Sequence, residues 1–220
     1  MQTKYSTNEN HMVWLLNILI TLKFLFFISI LCFIRLQLCS QNIDVKILSG
    51  IYSDSSSTKD KGAKILSTSV APLSIFAPAA MLVIGLLKKD SVLIHKGLGA
   101  TGAILLTTLV TNGLKYGVNR TRPYNEYPLL FHAKTRTNQY SFPSGHTSSA
   151  FTTATSLSLV FPKWYVIAPS YLWACSVSYS RMYLGVHYPT DVLAGAIIGT
   201  ACSFLSFKIE KWINSRKQHR

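Results

Sequence analysis

The stretch Ser180-Arg181-Met182-Tyr183-Leu184-Gly185-Val186-His187-Tyr188-Pro189-Thr190-Asp191 sets an arginine, a histidine and an aspartate at fixed intervals beside hydrophobic runs. Ionisable groups next to such runs are expensive, and where they persist they default to a functional reading. Pro189 suits the first turn of a helix. Asp191 lies four residues beyond His187, a spacing at which its carboxylate can accept the Nδ1–H of the imidazole and leave Nε2 unprotonated.

Two earlier stretches carry complementary chemistry. Lys115 is followed by Arg122-Pro123, and Pro143-Ser144-Gly145-His146 stands at the head of a run of small residues. Lys115, Arg122 and Arg181 together offer a lysine point charge and two planar guanidinium forks, the donors that suit a tetrahedral phosphate. Each of these cations taken singly also fits juxtamembrane snorkelling, with an apolar stem and a wet head. Ser144 is placed to cap the helix that follows, Gly145 lets backbone approach an oxygen closely, and the helix N-terminus is a ready anion site. An ordinary cap after a proline turn is the plainer reading of that stretch alone. His11, His95, His132 and His219 have no partner at useful spacing and read as satisfied polar residues.

Hydrophobic residues make up 49% of the 220 residues and charged residues 14%, which points to membrane segments. The net charge of +14 is compatible with nucleic acid, anionic lipid or a phosphate-handling site. The basic residues are scattered between apolar runs and a tail, without a nucleic-acid-binding signature, so nucleic acid is not an expected partner. Cys32, Cys39, Cys175 and Cys202 lie in or beside apolar runs without metal-ligand spacing and read as buried free thiols.

Residues 1–40 contain a largely apolar stretch from Met12 to Ile34, either a signal peptide or a first transmembrane helix. Residues 41–68 read as a polar outer loop, with a short amphipathic helix from Asn42 to Leu48 on the membrane surface and a hydroxyl-rich solvent loop from Ser53 to Asp60. Residues 69–220 read as one helical bundle. Val70–Leu87 and Val92–Leu114 are joined by Lys88-Lys89-Asp90, and Gly97, Gly99 and Gly102 allow the second of these helices to approach a neighbour. A polar loop from Tyr116 to Phe142 follows, then helices over Ser148–Phe161, Trp164–Tyr179 and Val192–Phe207. Tyr124, Tyr127, Leu129, Leu130 and Phe131 in that loop either line the mouth of a site or pack internally. The fold class is therefore all-α, an integral membrane bundle of five or six transmembrane helices. Lysine-bearing turns at Lys88 and Lys163 and the basic tail fall inside by the positive-inside bias. Counting crossings then puts Lys115, His146 and His187 on the outer face, the periplasm or exterior of a multi-pass protein.

Lys115-x6-Arg122-Pro123, Pro143-Ser144-Gly145-His146 and Ser180-Arg181-x5-His187-x3-Asp191 together resemble the three signature motifs of the type 2 phosphatidic acid phosphatase superfamily, which includes lipid phosphatases, acid phosphatases and vanadium haloperoxidases. All three are complete and in the family's order. The resemblance implies a catalytic set of His187, His146 and Asp191. In it His187 attacks phosphorus to give a phosphohistidine, while His146 protonates the leaving oxygen and then activates water. It implies phosphate binding by Lys115, Arg122, Ser144, Gly145 and Arg181, with no metal and no cofactor. A lipid phosphate or diphosphate is the expected substrate. Vanadate-dependent halide oxidation and a catalytically silent lipid-binding protein remain as alternatives, and the motifs do not specify the lipid or the oligomeric state. Asn119-Arg120-Thr121 matches a glycosylation sequon, but inside the first motif it reads as accidental.

Overall fold

The computed structural model of the protein describes residues 43–52 and 57–218, and from Asp44 onward these form one compact unit. The N-terminal hydrophobic segment, with Cys32 and Cys39, lies outside the described residues. The regular structure of the described residues is helical: α1 over residues 43–51, α2 Ser57–Thr68, α3 Val70–Lys88, α4 Ser91–Val118, the single turn α5 Pro123–Glu126, α6 Gly145–Val160, α7 Trp164–Tyr183 and α8 Pro189–Gln218.

Local chemistry explains where these helices stop. Lys89, in the left-handed region at φ 52°, ends α3 by donating its N–H to Leu86, and Asp90 caps α4 through the Leu93 N–H at 3.0 Å. Asn119 ends α4 in the same left-handed conformation. At the head of α8 the Tyr188 N–H donates to Asp191 Oδ2 at 2.9 Å, the back-bond of a capping box, with Pro189 in the first turn.

Among the described residues, three helical stretches are long and apolar enough to cross a membrane: Thr58–Lys88, Ser91–Glu126 and Pro189–Arg216. The expected crossings at α6 and α7 do not reach that standard, α6 being 16 residues long. The reason is visible in its surroundings. α6 is the centre of the bundle, packed against α3, α4, α7 and α8, and it buries Thr147, Ser148, Thr152, Thr153, Thr155 and Ser156. Thr152 Oγ1 lies 2.8 Å from Thr107 Oγ1 of α4, Thr153 Oγ1 donates to Ser74 of α3, and Ser156 lies beside Ser203 of α8. In a bundle immersed in lipid, small and hydroxyl-bearing residues join helices, each contact worth about 0.6 kcal/mol. The apolar side chains point the other way. Phe76, Leu87, Leu105, Leu109, Leu172 and Ile197 are all exposed, an inside-out arrangement suited to acyl chains.

Close backbone approach fixes α8 against α6. A Cβ on Gly199 would stand 2.2 Å from the Ser148 carbonyl oxygen, so only glycine fits there. Gly99 and Gly102 face Phe207 and Ser206 of α8, and Gly97 faces Leu82 of α3.

Several sequence expectations change. Residues 41–68, read as a polar loop, carry α1 and α2 among the described residues. α1 does not simply rest on a membrane surface: Asp44 and Leu48 are buried, and Leu48 packs with Phe131 and Tyr188. The pattern that suggested a surface helix is the one that gives a helix with one face against protein. Cys175 is exposed rather than buried, on an outward position of α7, while Cys202 is buried. His95 has a partner after all, Glu210 at 2.8 Å across α4 and α8.

Candidate active site

The three motifs meet at one end of the bundle. Lys115 lies in the last turn of α4, Gly145 and His146 in the first turn of α6, Arg181 in the last turn of α7, His187 in the connection to α8, and Asp191 in the first turn of α8. Gly185, at φ 71°, bends that connection where a Cβ would press on the His132 carbonyl. Lys115, Arg122, Gly145, His146, Arg181 and His187 all line a single cavity of about 390 Å³. On its apolar side the cavity runs between α3 and α4 along Val70, Ile75 and Ile104.

The cations are held from behind. Lys115 Nζ donates to the carbonyls of Tyr140 and Pro143 at 3.1 and 2.8 Å. Arg122 Nε donates to the Asn138 carbonyl at 2.6 Å, and Nη1 to the Val186 carbonyl at 2.7 Å. Arg181 Nη1 donates to Ser67 Oγ of α2, while its Nε is buried with no hydrogen-bond partner among the described residues. A buried donor of that kind carries a desolvation cost that an anion in the cavity would relieve.

His187 is 2% exposed. Its Nε2 lies 3.3 Å from Arg122 Nη1, and a guanidinium can only donate, so Nε2 is the acceptor and the proton belongs on Nδ1. Nδ1 in turn lies 3.5 Å from Asp191 Oδ2, an ion-pair separation too long for a formed hydrogen bond. The spacing brings Asp191 beside Nδ1, but the tautomer here is set by Arg122, since the expected Nδ1–H bond to the carboxylate is not formed. Burial, reinforced by the positive charges of Arg122, Arg181 and Lys115, holds the His187 imidazole well below its ordinary range, so the ring stays neutral.

Ser144 departs from expectation. It occupies the N-cap of α6, but its side chain makes no capping bond: Oγ accepts from Thr147 Oγ1 at 3.0 Å, and the residue is fully buried. Its backbone N–H donates to the Asp191 carbonyl, which ties α6 to α8. The loop residues divide as well. Phe131 is packed inside, Tyr124 and Tyr127 pack beside it, and Leu129 and Leu130 are exposed.

The structure adds residues that sequence reasoning passed over. Arg136, Asn138, Asn112 and Ser149 also line the cavity. Arg120, dismissed as part of an accidental sequon, bonds Asp191 Oδ1 through Nη1 and Asp44 Oδ2 through Nη2, each at 2.7 Å. Ser141 donates to Asp191 Oδ2. A second arginine two residues before Arg122 was the available signal for Arg120, whereas Asp44 gave none. Among the described residues no group of three or more His, Cys, Asp or Glu side chains gathers in a metal-binding arrangement.

The sequence model of the PAP2 superfamily matches residues 96–215. Over 96 residues the chain is 43% identical to an undecaprenyl-diphosphatase of Sulfolobus acidocaldarius, an alignment covering 44% of this chain and 46% of that protein; the chain thus spans about half the length of this curated relative. Among solved structures, the LpxE protein of Aquifex aeolicus superposes with a TM-score of 0.62 at 30% identity, over 74% of this chain and 94% of that one. A transmembrane PAP2-type phosphatidylglycerolphosphate phosphatase from Bacillus subtilis superposes with a TM-score of 0.65 at 25% identity, over 80% and 88% of the two chains.

Proposed function

The chain belongs to the PAP2 superfamily, and on that premise we propose that it is a membrane phosphatase that hydrolyses a lipid phosphate or diphosphate through a phosphohistidine on His187. One observation carries the reading: three cations and two imidazoles from separate motifs line one cavity that also runs along apolar side chains, Val70, Ile75 and Ile104, of α3 and α4. A phosphoryl group needs positive charge and donors that tighten as charge moves onto its equatorial oxygens. Lys115, Arg122 and Arg181 supply them, with the buried Arg181 Nε as a waiting donor.

In the first step Nε2 of His187 forms a bond to phosphorus as the bond from phosphorus to the leaving oxygen breaks. His146, its pKa pushed down to about 4 by burial and by Arg181, Arg122 and Lys115, takes up a proton when the phosphate's negative charge offsets those cations and delivers it to that oxygen. His146, now neutral, removes a proton from water. The water oxygen bonds phosphorus, the P–N bond breaks, and inorganic phosphate leaves. Gly145 and His146, in the first turn of α6, line the same cavity, and a helix N-terminus suits a phosphate oxygen. Ser144 is better suited to tying α6 to Asp191 and Thr147 than to touching phosphate. The groove beside Val70, Ile75 and Ile104 suits an acyl or prenyl chain that remains in the bilayer while its head group reaches the histidines.

The catalytic end faces the periplasm or exterior in this reading. The support is charge: Lys88, Lys89 and Lys163 cluster at the opposite helix ends, and Lys96 Nζ donates to the Val160 carbonyl there, the side the positive-inside bias assigns to the cytoplasm.

The test is phosphate release by purified protein from a panel of lipid mono- and diphosphates, with and without chelator, beside His187→Ala. Chelator-resistant release abolished in the variant is expected. Halide oxidation with vanadate and peroxide in place of phosphate release, or equal activity in the variant, would overturn the reading.

A further inference from the structure

Asp191 is completely buried, and its two oxygens are divided between two tasks. Oδ2 accepts from Ser141 and from the Tyr188 N–H, and His187 Nδ1 stands 3.5 Å from it, a separation that becomes a hydrogen bond only on tightening. Oδ1 is given to Arg120 at 2.7 Å. Arg120 is fixed in place in turn. Its guanidinium stacks 4.0 Å over the Tyr188 ring, Nη1 also donates to Thr190 Oγ1 at 2.7 Å, and Nη2 pairs with Asp44 of α1. Asp44, 1% exposed, accepts from the Thr190 N–H at 3.1 Å and from the Thr190 hydroxyl.

We infer that Arg120, clamped by Asp44 of α1, is a positioning residue for the nucleophile: it holds the Asp191 carboxylate so that Oδ2 keeps His187 in the Nδ1–H tautomer with Nε2 toward the phosphoryl group. This rests on the phosphohistidine reading above. Charge supports it. Two carboxylates and one guanidinium leave a single negative charge beside His187, which offsets the positive imidazole created when Nε2 takes the phosphoryl group. The network touches none of the cavity surface, since Arg120, Asp44 and Asp191 are absent from its lining. It therefore acts on the orientation of the attacking ring and not on the grip of the anion. It also gives α1, far from the motifs in sequence, a part in the active site.

The experiment compares wild type, Arg120→Gln, Arg120→Lys and Asp44→Asn by steady-state kinetics, by the competitive inhibition constant of inorganic phosphate, and by ¹⁵N-histidine NMR of the detergent-solubilised protein. Removing the partner that orients a metal-bound histidine costs about 10–100-fold, and a loss of the same order is expected for a partner that orients a nucleophilic one. Arg120→Gln is expected to lower kcat by about that factor, with KM and the phosphate constant within threefold of wild type. Its His187 signals should move from the Nδ1–H tautomer toward a mixture. Asp44→Asn should show the same pattern more weakly, and Arg120→Lys, which keeps a charge but cannot span both carboxylates, should recover part of the loss. If Arg120→Gln does not fold, Asp44→Asn decides by the same criteria. Unchanged kcat and tautomer in a folded variant, or a phosphate constant that rises in step with the loss, would overturn the inference. The NMR readout needs no turnover, so an inactive wild type would overturn the phosphatase reading while the tautomer still judges Arg120.

Discussion

Arg181→Lys is the substitution that separates a cradle for a transferring phosphoryl group from a merely basic cavity. Arg181 is 2% exposed, spends Nη1 on Ser67 Oγ, and keeps Nε buried without a partner where it lines the cavity. A charge-assisted hydrogen bond to a desolvated anion is worth about 1.5–3 kcal/mol, and loss of one preorganised donor to developing charge costs about 2.7–4 kcal/mol in known cases. Lysine restores a positive charge but cannot donate toward Ser67 and the phosphoryl oxygens in one plane. The net loss is then about 2–4 kcal/mol, or roughly 30–1000-fold in kcat/KM. Continuous phosphate release from a detergent-solubilised lipid phosphate measures it, with thermal unfolding to confirm the fold. The loss should lie mainly in kcat, because the donors tighten on the transition state. Ser67→Ala, which frees Nη1 without removing it, should cost about 1 kcal/mol, near fivefold. A folded Arg181→Lys protein within threefold of wild type would refute the reasoning that the guanidinium meets the reacting group.

Replacement of His146 by alanine should hurt most where the leaving oxygen needs a proton: a large drop with an alkyl phosphate and a smaller one with p-nitrophenyl phosphate, read from burst amplitude and steady-state rate. The pH profile has a defined sign. His187 is held below its usual range by burial and by neighbouring cations, so Nε2 stays unprotonated as pH falls through 6.5, and the acid limb of kcat/KM should lie below that value. Arg122→Gln, which removes one of those charges, should move the His187 contribution to that limb upward. Two glycines should respond oppositely in thermal unfolding. Gly199→Val forces a Cβ to within 2.2 Å of the Ser148 carbonyl and should destabilise by about 1–3 kcal/mol or more, whereas Gly62→Ala, exposed inside α2 with nothing near its Cβ, should stabilise by about 0.5–1 kcal/mol.

The motifs were legible because their chemistry is compressed into short spacings: Lys115 to Arg122 spans the end of α4, and His187 to Asp191 spans one helical start. Helices α3 and α4 were legible from apolar length and the turn between them from Lys88, Lys89 and Asp90, whereas the end of α4 at Asn119 was not. The Asp44–Arg120 pair was not, since 76 residues separate its members and nothing periodic links them. The apolar signal of α6 was weak for a physical reason: a helix enclosed by other helices can exchange apolar surface for hydroxyls such as Thr152 and Ser156. Ser144 was assigned a cap by residue type, yet Thr147, one turn on, supplies the proton its oxygen accepts. Cys175 was taken for a core thiol because lipid-facing and core-facing positions look alike in composition.

The most direct measurement is the location of the covalent phosphoryl group. Wild-type protein mixed with a ³²P-labelled lipid phosphate, quenched in alkali within milliseconds and digested, should yield an acid-labile, alkali-stable label on the peptide containing His187, and none in His187→Ala. Turnover with no phosphoenzyme on any quench time, or a label on a residue other than His187, would contradict the convergence of the three motifs on one in-line attack.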